Sequence, residues 1–240
     1  MLLAHVLGVQ RLKLYMDGDR PSTDLERAAF RELIQRAVLH EPVDYLVGTA
    51  PFLSLSFEVN PSVLIPRPST ETIVEHVVQH ARRTPGFHTP LVADIGTGCG
   101  AIAVAVAKNI PNCRVVATDV SDDALQVARH NAAIHGVADR IEFRRGDLLE
   151  PLERERFHYL LSNPPYISDD EWQQVPPNVR QHEPPAALRG GVDGLKFLRP
   201  LISLAHEHLE RPGQPVLEIA ASQKEAAERL AEHADGLSNI

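Results

Sequence analysis

Leu91-Val92-Ala93-Asp94-Ile95-Gly96-Thr97-Gly98-Cys99-Gly100-Ala101-Ile102-Ala103-Val104-Ala105-Val106 is the stretch from which the rest of the chain is read. A short apolar run, a glycine-rich turn and a second apolar run predict strand, loop and helix in immediate succession. Glycines let the backbone turn tightly and let a ligand come close. The free N–H groups at the start of the helix favour a nucleotide-like ligand carrying a carboxylate or phosphate. The spacing is G-x-G-x-G with an acid two residues ahead, whereas dinucleotide enzymes use G-x-G-x-x-G. A glycine turn with no ligand is the plain alternative.

Downstream the alternation continues. Ala101 to Lys108 reads as a helix and Arg114 to Thr118 as a strand. Ser121 caps a helix that ends at Gly136, and Ile141 to Phe143, His158 to Ser162 and Val216 to Ile219 read as further strands. Such alternation predicts an α/β domain with a mainly parallel sheet and ligands at the carboxyl ends of its strands. Upstream, Ser69 is the expected cap of a helix with the buried stripe Ile73, Val74, Val77, Val78 and Ala81. Before it, prolines on both sides hold Arg67 in a stiff segment, Leu64-Ile65-Pro66-Arg67-Pro68. Phe52, Leu53, Leu55, Phe57 and Val59 suggest two short strands between Thr49 and Pro61, a hairpin linking two domains. The first fifty residues read as helical. Leu2, Leu3, Val6 and Leu7 share one face of a helix over Met1 to Gln10. Ser22 is the expected cap of a second helix whose apolar positions are Ala29, Phe30, Leu33, Ile34, Ala37 and Val38, ended by Pro42.

Composition narrows the function classes. The 240 residues are 43% hydrophobic, enough for a sizeable core, and the formal net charge of -8 argues against broad gripping of nucleic-acid phosphates. Two cysteines, Cys99 and Cys113, make no disulfide framework, so a reducing cytoplasm is expected. No apolar run approaches the roughly 20 residues that span a bilayer, so no membrane association is expected. His76 and His80 stand four apart on one helix, but no third ligand is evident and no metal site is expected. Gly190-Gly191-Val192-Asp193-Gly194 reads as an ordinary turn.

Three motifs follow the glycine loop in register, each at the end of a strand. Asp119 can accept both hydroxyls of a ribose, unless it serves only as a helix N-terminal acid. In Gly146-Asp147-Leu148 the acid could accept an exocyclic amine while Leu148 packs on the ring; a simple turn is the alternative. Asn163-Pro164-Pro165-Tyr166 carries the decisive chemistry. An amide nitrogen is a poor nucleophile because its lone pair is delocalised. Two acceptors aimed at its N–H groups, the Asn163 side-chain oxygen and the Pro164 carbonyl, can turn that lone pair toward a methyl donor. Proline supplies the carbonyl with no competing N–H, and Tyr166 can pack on a flat substrate group. A rigid loop after a strand is the bland reading.

With these residues in place, the chain resembles the glutamine methyltransferases that modify peptide chain release factors. The likeness covers nearly the whole chain. It runs from Leu3-Ala4-His5-Val6-Leu7-Gly8 through Glu41-Pro42, Tyr45 and Gly48 to Leu64-Ile65-Pro66-Arg67-Pro68 with Thr70-Glu71. It continues through the glycine loop and Asn163 to Tyr166 to Glu183-Pro184, Ala187-Leu188 and Gly190-Gly191 up to Leu195. The resemblance implies a class I S-adenosylmethionine-dependent methyltransferase, Rossmann-like, with a small N-terminal helical domain (1–48) for substrate docking, a β-hairpin linker (49–62) and a methyltransferase domain (63–240). It implies that Gly96, Thr97, Gly98, Cys99, Gly100, Asp119, Asp147, Leu148 and Asn163 hold S-adenosyl-L-methionine. Asn163 and Pro164 would be catalytic, and Pro165, Tyr166 and Arg67 would join them in binding the glutamine of a Gly-Gly-Gln loop in the release factor. A cytoplasmic monomer is expected.

Three departures from the family stand out. Ser69 occupies a position where an acid is usual, the helical domain starts late, and the chain stops at Ile240, ahead of two further strands normal in this fold. A sheet edge open to aggregation is the consequence expected of the last. Four alternatives stay open. An amino-methyltransferase could act on nucleic-acid adenine or on a ribosomal-protein glutamine. A cofactor-binding protein could lack activity, and an NAD-dependent oxidoreductase would leave Asn163 to Tyr166 without a purpose.

Overall fold

A computed structural model describes residues 1–85, 87 and 89–237. The expected chain end at Ile240 therefore lies outside the described residues. The chain opens with four helices, α1 (Leu2–Val6), α2 (Arg11–Met16), α3 (Asp24–Val38) and α4 (Val43–Val47). The single helix expected over residues 1–10 is thus one short helix followed by a turn. The cap of α3 is Thr23, not Ser22. Its hydroxyl accepts from the Glu26 N–H at 3.2 Å while the Glu26 carboxylate accepts from the Thr23 N–H at 2.7 Å, a reciprocal capping box.

The apolar stripe of α3 is only half used. Phe30, Leu33 and Ala37 are partly covered, whereas Ile34 and Val38 stay exposed, Val38 at 71%. Four short helices enclose too little volume to bury a whole stripe. Tyr45 on α4 is buried and ties this layer to the next by donating from its hydroxyl to the Val63 carbonyl at 2.6 Å.

The hairpin joins β1 (Thr49–Phe52) to β2 (Leu55–Glu58), antiparallel. Leu53 forms its turn rather than a strand, with Ser54, both at positive φ. That geometry suits a two-residue hairpin turn, although these are not the Asn-Gly types that favour it. A bond from outside holds it: the Leu53 N–H donates to the Glu71 carboxylate at 2.9 Å. Glu71 opens α5 (Glu71–Arg83), which buries Ile73, Val74, Val77, Val78 and Ala81 as expected. Ser69 does not cap this helix. It lies in a 3-10 turn, Pro68–Thr70, and its hydroxyl donates instead to Glu218.

The remaining strands are β3 (Leu91–Ile95), β4 (Arg114–Asp119), β5 (Ile141–Arg145), β6 (Phe157–Ser162) and β7 (Leu209–Leu217). With them come α6 (Ala101–Asn109), α7 (Asp122–Ile134), α8 (Pro177–His182), α9 (Leu198–Ser203) and α10 (Lys224–Glu232). β7 ends at Leu217, so Ile219 lies just beyond it rather than inside. The sheet order is β5-β4-β3-β6-β7, every pair parallel. The chain builds outward from β3 to β5, then crosses back to lay β6 on the other side of β3, so a crevice opens at the carboxyl ends of β3 and β6.

Side-chain alternation sorts the strand residues into two cores. Val92, Val115, Ala117, Tyr159 and Leu161 share one core with residues of α5, α6 and α7. Ala93, Ile95, Val116 and Leu160 pack on the other with Leu201 and Ala205. Both faces are covered, which is why the strands read as continuous apolar runs. β7 is the outermost strand on its side among the described residues.

Asn131 on α7 fastens the hairpin to the glycine loop. Fully buried, it accepts from the Glu58 N–H at 2.8 Å. Its amide donates to the carbonyls of Glu58 and Cys99 at 3.0 and 2.9 Å, so one side chain joins three segments with its donors and oxygen all engaged.

Candidate active site

A cavity of about 720 Å³ sits at the carboxyl ends of β3, β4 and β6. The motif residues Gly96, Gly98, Asp119, Asp147, Leu148, Asn163, Pro164 and Pro165 line it. A larger groove of about 1200 Å³ runs along β7, between α5, α9 and α10, and contains none of them. Chemistry rather than volume therefore selects the smaller cavity.

Gly96 and Gly98 adopt φ of 71° and 55°, which L side chains rarely hold, and a Cβ at either would meet open space. The loop thus keeps bare backbone toward the cavity. Asp119 is more engaged than its position in the sequence indicated. One carboxylate oxygen accepts from the Gly98 N–H and the other from the Ser121 N–H, both at 2.9 Å. Each oxygen retains a further lone pair, and the side chain lines the cavity. Ser121 caps α7 as expected, its hydroxyl accepting from the Ala124 N–H at 3.2 Å.

Beneath the loop, Asp94 is fully buried. One oxygen accepts from the Thr97 hydroxyl at 2.6 Å and from the Ala103 N–H at 3.1 Å, while the other has no partner. Burial pushes its carboxyl up to about 7, against the pull of those two bonds. The folded value lies above the unfolded one, so the folded state holds the extra proton. Stability from this group is full below about pH 4 and is lost as pH rises through 7, by an amount on the order of a few kcal/mol. In the ligand-free protein, Asp94→Asn is expected to flatten the decline of the melting temperature between pH 5 and 8, read by thermal denaturation; an unchanged slope would assign the decline to other groups.

The turn after β5 presents Asp147 and Leu148. Leu148 has a φ of 47°, rare for a residue with a side chain, and lies half-buried against the cavity. After β6, Asn163 and Pro164 follow Ser162, whose hydroxyl donates to the Ile95 carbonyl at 2.7 Å and locks the loop to β3. The Asn163 amide donates to the Thr70 hydroxyl at 3.0 Å. Among the described residues, no group donates to the Asn163 side-chain oxygen or to the Pro164 carbonyl.

Five of the expected site residues do not line the cavity. Thr97 is spent on Asp94, and Cys99 points into the core, where burial pushes its thiol up to about 12. Gly100 packs against Ala128 at the start of α6. Arg67 is held by the buried Glu183 carboxylate at 2.5 Å, which also accepts from the Ile65 N–H at 3.1 Å. Glu183 thus ties the proline-flanked segment to the rest of the domain at two points. Tyr166 is half-buried beside the site, and its carbonyl accepts from Gln223 at 2.9 Å.

Several cavity residues carried no signal of their own in the sequence: Ser62, Val63, Val120, Pro185, Ala186 and Phe197 all line the walls. Leu64, Pro184 and Ala187, part of the family likeness but given no role there, line them too. The Gly190–Gly194 segment is more than a turn: Gly191 reaches the cavity, and a Cβ on Gly194 would stand 2.3 Å from the Tyr166 carbonyl. Close approach of two backbones, together with a φ of 75°, demands that glycine.

These features fit an adenosine-bearing cation. There is a bare glycine loop, a carboxylate at the second strand, an apolar wall of Val120 and Leu148, and an unpartnered buried carboxylate oxygen below.

Comparison with known proteins agrees. Residues 68–179 match the family model described as Methyltransferase small domain, and residues 1–48 match PrmC N-terminal domain. The S-adenosylmethionine-dependent methyltransferase from Agrobacterium tumefaciens superposes with a TM-score of 0.55 over 76% of this chain and 57% of its own, at 13% identity, which shows the fold. The fold's cofactor is S-adenosylmethionine. The release factor glutamine methyltransferase of Rhodopirellula baltica is 39% identical over 100% of this chain and 82% of its own length. That of Geobacter sulfurreducens is 44% identical over 93% of this chain and 76% of its own length. At that identity and coverage, the chain belongs to the release factor glutamine methyltransferase family.

Proposed function

We propose that the protein methylates the side-chain amide nitrogen of the glutamine in the Gly-Gly-Gln loop of a peptide chain release factor, with Asn163 and Pro164 as the groups that orient that nitrogen. S-adenosylmethionine supplies a methyl group activated by its positive sulfur. The observation that supports these roles is the pair of acceptors without donors, the Asn163 oxygen and the Pro164 carbonyl, on the wall of the cavity that also holds the glycine loop and Asp119. Two acceptors on the two N–H groups of a primary amide restrict its rotation and favour the pyramidal nitrogen that attack requires. Preorganised dipoles of this kind, with positioning, supply the rate. No base is required before transfer, because the methylated amide nitrogen sheds its proton afterwards.

In this reading Gly96, Gly98 and Asp119 hold the cofactor directly, with Asp147 and Leu148 against its adenine. Thr97, Cys99 and Gly100 shape the loop from behind. Pro165 borders the acceptor, and Arg67 and Tyr166 act from outside the cavity wall. Residues 1–48 form the docking domain, 49–62 the linker and 63–240 the methyltransferase domain. The protein works in the cytoplasm, where release factors act and where its two buried thiols stay reduced. No helix among the described residues is long and apolar enough to cross a membrane.

The test is transfer of labelled methyl to purified release factor with the Gly-Gly-Gln glutamine intact or changed to alanine. Label that depends on that glutamine is the expected result. Label that ignores the change, or that goes to nucleic acid instead, would overturn the assignment.

A further inference from the structure

We propose that Thr70 is a positioning residue that decides which end of the Asn163 amide faces the acceptor nitrogen, and that Glu218 decides it through Thr70. This rests on Asn163 being the side chain that orients the substrate amide. The two ends of an asparagine amide have nearly the same shape. Rotation of its plane by half a turn exchanges an acceptor for a donor. A flipped Asn163 would present N–H groups to the N–H groups of the substrate, and the site would repel the nitrogen it has to hold.

The surroundings forbid the flip. Thr70 is 5% exposed, and its hydroxyl donates to the Glu218 carboxylate at 2.6 Å. A carboxylate accepts only, and a hydroxyl carries a single proton. That proton is committed, so the Thr70 oxygen offers Asn163 a lone pair and nothing else. At 3.0 Å it is satisfied by the Asn163 amide nitrogen, which leaves the Asn163 oxygen for the cavity. Glu218 is itself fixed. The Ser69 hydroxyl donates to its other oxygen at 3.0 Å, and its N–H donates to the Ser162 carbonyl at 3.0 Å, one residue before Asn163. The order of donors therefore runs one way, from Asn163 to Thr70 to Glu218.

Methyl transfer to release factor, measured under single-turnover conditions, tests this with Thr70→Val, Thr70→Ser, Glu218→Ala, Asn163→Ala and the Thr70→Val/Asn163→Ala pair. Valine keeps the shape of threonine and removes the hydroxyl. The rate is expected to fall about 10- to 100-fold in Thr70→Val, with cofactor affinity by calorimetry and KM for the release factor nearly unchanged. Thr70→Ser restores most of that rate. Glu218→Ala, which frees the hydroxyl to point either way, falls in the same direction, so the inference is also tested if Thr70→Val does not fold by circular dichroism. In the Asn163→Ala background Thr70→Val has no further effect, because nothing remains to orient. An equal fractional loss in both backgrounds would show a merely structural role and overturn the inference. So would full turnover in both Thr70→Val and Glu218→Ala while Asn163→Ala is slow. Full turnover in Asn163→Ala would instead overturn the reading of Asn163, and this inference with it.

Discussion

Replacing Asn163 with alanine is expected to lower the rate of methyl transfer by about 100-fold or more while leaving S-adenosylmethionine affinity nearly intact. The side chain stands on the cavity wall with its amide nitrogen anchored on Thr70 and its oxygen left without a donor among the described residues. Alanine removes one of two acceptors and keeps the backbone carbonyl of Pro164. The acceptor nitrogen then loses its orientation but not its access. The loss belongs in turnover rather than in binding, because the interaction is worth most once the amide has left planarity. Single-turnover transfer and calorimetric titration with cofactor separate the two. An equal loss of cofactor affinity would make Asn163 a cofactor ligand and remove its orienting role.

The second large effect is expected at Asp119. Asp119→Ala should weaken S-adenosylmethionine binding about 100-fold, on the order of 3 kcal/mol. The carboxylate has two duties. It holds the Gly98 and Ser121 N–H groups, which sets the loop and the start of α7, and its remaining lone pairs face the cavity. Alanine ends both and leaves the Gly98 N–H on the cavity wall without its acceptor. Turnover at saturating cofactor should fall far less, since Asp119 lies on the opposite strand from Asn163, across β3. Calorimetry measures the first quantity and saturated turnover the second. Unchanged affinity would reduce Asp119 to a loop support.

These two positions were legible in the sequence because each stands at the end of a strand whose pattern was itself legible. A parallel sheet covered on both faces leaves unbroken apolar runs, and the residue that ends such a run is conspicuous. The expected β3 matches residue for residue, and β4 and β6 differ at one end by a residue. The helical layer was less readable, since apolar spacing identifies a stripe but not whether anything covers it. Hence Val38 is exposed although its spacing is that of a core residue.

The supports of the site were not legible at all. Glu183 serves Ile65 and Arg67, Glu218 serves Ser69 and Thr70, and Gln223 serves Tyr166. Each pair joins residues 57 to 149 positions apart, brought together only by the fold, and a lone Glu or Gln in the sequence does not name its partner. The same distance explains Ser69, which has a cap residue's chemistry but finds its partner in Glu218, just past β7.

Distance along the chain has one more consequence, for the moment of synthesis. The cofactor half of the cavity draws on one contiguous stretch, from Asp94 to Leu148. The acceptor half waits for Glu218 and Gln223, which leave the ribosome well after that stretch and reach back to Thr70 and Tyr166. In a growing chain the residues of the donor half therefore emerge before the last of the clamp on Asn163. The two halves emerge in the order of use: the residues for the methyl source come first, and the last of those that aim its target follows β7.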